Sequence, residues 1–225
     1  LGFVITVAVK SFYNYHGYTL ARRRAVYPYS RVKAKTQLLK EDLIPFSDMR
    51  SKSKTKNLEF KTMVAFLSSM PTRRETLSKL DWYHVKEALD DSIRTPCIEI
   101  EPELLKKSLM NKQLKQIGFL HTWAREMILE WREHYEKTVG IKIDVSKVES
   151  LKDIPLFITA RTYRGKYQRL RPNQIDSWFE ERSKQYGKAI YPHSFRAFFK
   201  DYIKCSEDHK AVFIAQTGRH DRAYT

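Results

Sequence analysis

The chain reads as a mainly α domain of the α+β class, helical with a small antiparallel sheet. Two observations predict this. Beyond Gln37 the apolar residues mostly keep a helical period, while only one short segment, 97–101, alternates as a strand does. The period places helices over 38–49, 58–70 and 73–89, with Pro71 punctuating the second junction because it cannot continue a helix. Gly118-Phe119-Leu120 can return as the partner of the strand across a Lys-rich turn. An amphipathic helix follows over 121–139, carrying Trp123, Met127, Leu129, Trp131 and Tyr135 toward the core. Residues 156–159 form a brief apolar strand or buried turn, ahead of the basic run Arg161 to Lys166. Helices over 172–186, 194–204 and 207–217 close the chain, the last with Ser206 as N-cap and Gly218 as its stop.

The segment before Gln37 is organised differently. Val4, Val7, Val9, Phe12, Tyr13 and Tyr15 recur at near-helical intervals up to Gly17, which suits the last helix of a preceding domain. Arg22, Arg23, Arg24, Arg31, Lys33 and Lys35 then form a basic stretch without apolar period, a linker able to lie along phosphates. The expected organisation is therefore 1–21 as a terminal helix of a truncated domain, 22–36 as basic linker, and 37–225 as one larger domain.

Charge narrows the function class. Of 225 residues, 42 are Lys or Arg against 26 Asp or Glu, a net charge of +16, so the expected partner is a polyanion. No stretch approaches the roughly twenty apolar residues of a membrane span, which leaves nucleic acid as the better partner. Cys97 and Cys205 are far apart and lack Cys or His at zinc spacing; they read as buried thiols of a cytosolic protein, with no metal and no cofactor expected. Arg164 and Lys166 in the flexible-looking run are further DNA-contact candidates, and Tyr163 and Tyr167 suit packing or phosphate contact.

The chemistry-bearing residues come in a fixed order. First is Met70-Pro71-Thr72-Arg73-Arg74-Glu75-Thr76, running into Leu80-Asp81-Trp82; then lysines near the strand turn; then His193-x-x-Arg196; then Gly218-Arg219-His220. His193 and Arg196, three apart at a helix start, point from one face. An imidazole beside a permanently charged fork suits a phosphate, because guanidinium donates two parallel hydrogen bonds to its oxygens.

This order resembles the tyrosine recombinase (phage integrase) family, over about Gln37 to the end. The opening "VKSFYNYHG" looks like the tail of that family's core-binding domain. The resemblance implies a recombinase-like catalytic domain with Arg73, Lys106, His193, Arg196 and Arg219 as catalytic residues. Aligning Leu80-Asp81-Trp82 with the family's Leu-x-Trp selects Arg73 over Arg74, although Thr76 stands where the family usually has Glu. Lys107 and Lys112 remain alternatives to Lys106, with Lys115 further on, and His220 to Arg219; Arg in the latter place occurs in archaeal members. The nucleophilic Tyr is expected just after Thr225, with Tyr224, five places past Arg219, as the weaker alternative. The implied function is site-specific integration or excision of a mobile element, viral or plasmid, through a 3′-phosphotyrosine. A type IB topoisomerase-like activity and a catalytically silent DNA-binding module are the rivals. The implied partners are double-stranded DNA and a homotetramer on paired sites, the isolated chain being monomer or dimer, at the nucleoid or in the host cytoplasm.

Overall fold

The computed structural model describes residues 37–51, 54–105, 115–159, 162–204 and Phe213, with side chains of the first long helix from Lys56 onward. Its α-helices are α1 (Leu43–Ser47), α2 (Lys54–Ser69), α3 (Arg74–Leu77), α4 (Thr122–Val139), α5 (Pro172–Tyr186) and α6 (Pro192–Tyr202). The strands β1 (Cys97–Ile100) and β2 (Gln116–Phe119) form an antiparallel pair, with Ile98 opposite Gly118 and Ile100 opposite Gln116. The described residues are thus mostly helical with one small antiparallel sheet, as the periods predict. The readings for 1–36 and most of 207–217 lie outside the described residues.

Helix α2 is the axis of the core. Phe60, Met63, Val64, Ala65, Phe66 and Leu67 are all inaccessible to solvent, so it is buried nearly all round, packed by α1, α4 and α6. An aromatic column crosses it. Phe60 lies 5.4 Å from Phe46 of α1 and 4.9 Å from Phe179 of α5, which in turn lies 6.1 Å from Phe195 of α6. Such tilted ring pairs add about 0.5–1.5 kcal/mol each beyond their buried area. The column therefore fixes α6 against α2.

Three sequence expectations change. The period over 38–49 becomes a 3₁₀ turn (Lys40–Asp42) followed by the short α1. Asp42 closes the tighter turn: its N–H donates to Leu39 O at 3.1 Å, while its carboxylate accepts from Leu39 N–H at 2.8 Å and from the Tyr186 hydroxyl at 2.9 Å, and pairs with Lys188. Pro45 adds to the break, having no N–H to give.

The period over 73–89 is likewise broken, into α3 and a 3₁₀ stretch over Trp82–Leu89 kinked at Val85. Tertiary partners take the backbone groups that a continuous helix needs. Leu80 O accepts from Leu156 N–H at 2.9 Å, Trp82 N–H donates to Ile154 O at 3.0 Å, and Arg169 bonds both Leu80 O and the Asp81 carboxylate. The helix read as 194–204 starts at Pro192, whose missing N–H and fixed φ suit a first position.

Elsewhere the differences are of degree. In α4 the buried face is Ala124, Ile128, Trp131 and Tyr135, while Trp123, Met127 and Leu129 are half-buried against the core. Cys97 is half-buried rather than buried, because it opens β1 at the sheet's end; Cys205 lies outside the described residues. Gly118 lies close under Met70: a Cβ there would lie 3.2 Å from Met70 Cγ, so that side chain would have to give by a few tenths of an ångström. Phe213, helical and half-buried, accepts a hydrogen bond on its carbonyl from Gln116 Nε2 at 2.6 Å and packs its ring 5.8 Å from Phe199.

Candidate functional site

The site is built where α2 ends. Pro71 stops the helix, Thr72 N–H folds back onto Met70 O at 2.8 Å, and Arg73 is extended (φ −79°, ψ 153°) as the residue capping α3. This turn throws the Arg73 side chain outward just before α3 begins.

Helix α6 brings the second arginine. With Phe195, Phe198 and Phe199 drawn into the core, Arg196 is carried inward too and is only 3% exposed. Its guanidinium donates to Pro71 O at 3.1 Å, so it is fixed on the same turn that carries Arg73. Burial, and then the charge of Arg73 beside it, lower the Arg196 pKa to about 10. It remains a cation at neutral pH. Two guanidiniums held near each other at a cost in repulsion and desolvation form a place prepared for an anion.

His193, in the first turn of α6, is exposed and lines the same cavity of about 490 Å³ as Arg73 and Arg196. Arg74 lines it as well but is turned to α5, where it pairs with Asp176, and to its neighbour Glu75 at 2.7 Å. Burial works against the Glu75 charge, but the bond from Arg74 and the charges of Arg74 and Arg73 hold its carboxyl below the ordinary range. Of the two adjacent arginines, Arg73 is the one whose charge Arg196 feels.

Sequence reasoning missed part of the wall. Asp176 and Glu180, one turn apart on α5, line the cavity with Thr72 and Tyr191. The spacing of the two acids on a helix was the available signal, but nothing local said which side of α5 would face the arginines. Thr76, the departure from the family pattern, donates its hydroxyl to Leu104 O at 3.0 Å and so stitches α3 to the turn after β1.

Other predicted residues are distributed as follows. Lys106, Lys107, Lys112, Arg219, His220, Tyr224 and Thr225, and the basic residues Arg22, Arg23, Arg24, Arg31, Lys33 and Lys35, lie outside the described residues. Lys115 is described, and its ammonium is taken by Glu99 and Glu101 at 3.3 Å each. Arg164 and Lys166 do not line the cavity. They sit on a tight turn in which Tyr163 and Lys166 exchange both backbone hydrogen bonds (2.8 and 3.1 Å) around Arg164 and Gly165, both at positive φ. Tyr163 is 62% exposed there, with the Arg164 guanidinium 5.3 Å from its ring centre.

Among the described residues no group of three or more His, Cys, Asp or Glu could hold a metal ion, and no helix is long and apolar enough to cross a membrane. What the arrangement can do is grip a tetrahedral oxyanion between Arg73 and Arg196 with an imidazole alongside.

No family model matches the chain, and no curated protein matches it. Among solved structures it is similar to the crystal structure of XerA recombinase, with a TM-score of 0.55 and 14% sequence identity, covering 96% of this chain and 67% of that one. At that identity the likeness is one of fold: a recombinase-catalytic-domain-like α+β fold, mostly helical with a two-stranded antiparallel sheet.

Proposed function

We propose that this chain is part of a DNA strand-cleaving and rejoining enzyme of the tyrosine recombinase kind, acting in site-specific recombination. One observation carries the reading. Arg73 and Arg196, remote in sequence, meet at the Pro71 turn with His193 on the same cavity wall. Attack of a tyrosine oxygen on a DNA phosphorus adds negative charge to the phosphate oxygens as the P–O5′ bond breaks, and two preorganised guanidiniums oppose that charge. His193 handles protons beside the phosphate, and the leaving 5′ oxygen takes a proton from a general acid, the role read for Lys106. The product is a 3′-phosphotyrosine and a free 5′ hydroxyl, which reverses to rejoin strands. Arg219 as a further cation, a tyrosine as the nucleophile, integration or excision of a mobile element, and a homotetramer on paired DNA sites belong to the same proposal.

The test is covalent capture. The full gene product that contains this chain is incubated with nicked suicide duplexes, and protein–DNA adducts are separated under denaturing conditions. Adducts should form, and Arg196→Ala should slow them about 10²–10³-fold, the usual effect of losing one charge-stabilising donor. Firm DNA binding with no adduct would favour the silent binding module instead. Relaxation of supercoiled DNA lacking any paired site would favour the topoisomerase-like reading.

A further inference from the structure

Arg73 borders a second cavity, of about 350 Å³, which shares Arg73 and Glu75 with the first and is completed by Thr76, Lys79, Leu104 and Leu105. Its cation is Lys79, exposed and without a carboxylate partner among the described residues. The one acid, Glu75, has its charge met by Arg74 at 2.7 Å. The net field in the cavity is therefore positive. The opposite wall is apolar: Leu104 is half-buried and Leu105 buried. That wall is also held in place, because Thr76 Oγ donates to Leu104 O at 3.0 Å and Leu105 N–H donates to Pro102 O at 3.0 Å.

A nucleic-acid strand presents phosphates in regular succession, separated by sugars with apolar faces. Two cavities that share one arginine, each with its own further cation and the second with a leucine wall, have the charge and the apolar lining to take two successive phosphates and the sugar between them. We propose that the second cavity is a subsite for the phosphodiester next to the one held by Arg73 and Arg196, on the same DNA strand, with Lys79 as its cation. Lys79 is thus a positioning residue that sets which phosphate stands before Arg196 and His193. The inference rests on the DNA strand-exchange reading above.

A duplex set in which one neutral methylphosphonate is stepped along the strand tests it, with binding to this chain measured by anisotropy. Neutralising a contacted linkage should weaken binding roughly tenfold, as expected for losing a charge-assisted contact. In Lys79→Gln that sensitivity should vanish at one linkage, and in Arg196→Gln at an adjacent linkage; Lys79→Arg should restore the first. If the buried Arg196 variant does not fold, His193→Gln on the exposed rim serves to mark the same linkage. The subsite is refuted if Lys79→Gln leaves every linkage as sensitive as before, or changes one that is not adjacent to the Arg196 linkage. In that case the proposed function stands. If the unaltered chain neither binds DNA nor responds to any neutral linkage, the reading beneath it fails as well.

Discussion

Arg196 shows how a single residue is recruited from core to chemistry. Its helix needs Phe195, Phe198 and Phe199 inside, and the position between them is drawn to 3% exposure, with its guanidinium bonded to Pro71 O in the field of Arg73. Glu59, in α2, is the opposite case, a buried group with no part in the cavity. It is fully enclosed, and burial pushes its carboxyl well above the ordinary 4.5, opposed only by the hydrogen bond that it accepts from Ile158 N–H at 2.6 Å. In the folded chain it therefore keeps its proton at pH values where the unfolded chain has lost it. Stability falls as pH rises from about 4.5 toward the folded value, by up to about 1.4 kcal/mol per pH unit. Glu59→Gln keeps the acceptor and removes the titration, so its gain in Tm over the parent should grow between pH 5 and pH 7. Melting curves at several pH values check this; a gain that does not change with pH would refute it.

At the scale of elements, the strip from Phe157 to Leu170 turns back on itself through the Arg164-Gly165 turn and offers Tyr163, Arg164 and Lys166 to solvent away from the cavity. Among the described residues no carboxylate pairs with Arg164 or Lys166. If both cations lie on DNA phosphates, Arg164→Gln and Lys166→Gln should each weaken binding similarly for all sequences and reduce the slope of log K against log salt by about 1. Salt titrations of the two variants decide it, and an unchanged slope in both would remove the turn from the interface. Helix periods were legible where consecutive residues bond each other, as in α4 and α5. They failed over 73–89, where Leu80 and Trp82 give their backbone groups to Leu156 and Ile154. No local propensity reports a partner so distant in sequence.

For the whole molecule the governing quantity is the charge of +16. Binding through phosphates releases counterions, and log K should fall by about 0.9 per phosphate for each unit of log salt. The chain should therefore bind duplex DNA of unrelated sequence and lose affinity steeply between about 50 and 200 mM salt. A flat titration would overturn the electrostatic premise, while stronger competition by RNA than by DNA would redirect the choice of polyanion.

From the sequence alone came the mainly helical class with its small sheet, the expectation of a polyanion partner, and, through the resemblance to tyrosine recombinases, the expected set Arg73, His193 and Arg196. The first two follow from periodicity and charge, which are properties of the residues themselves, and the third from the order in which the motifs stand. Only the tertiary structure turned Arg74 to Asp176, tied up Lys115 with Glu99 and Glu101, and lined the cavity with Asp176 and Glu180. The physical reason is that the field at an arginine depends on which charges the fold places within a few ångströms of it. Those charges sit on helices and strands whose packing is set by buried aromatics and by backbone groups far along the chain.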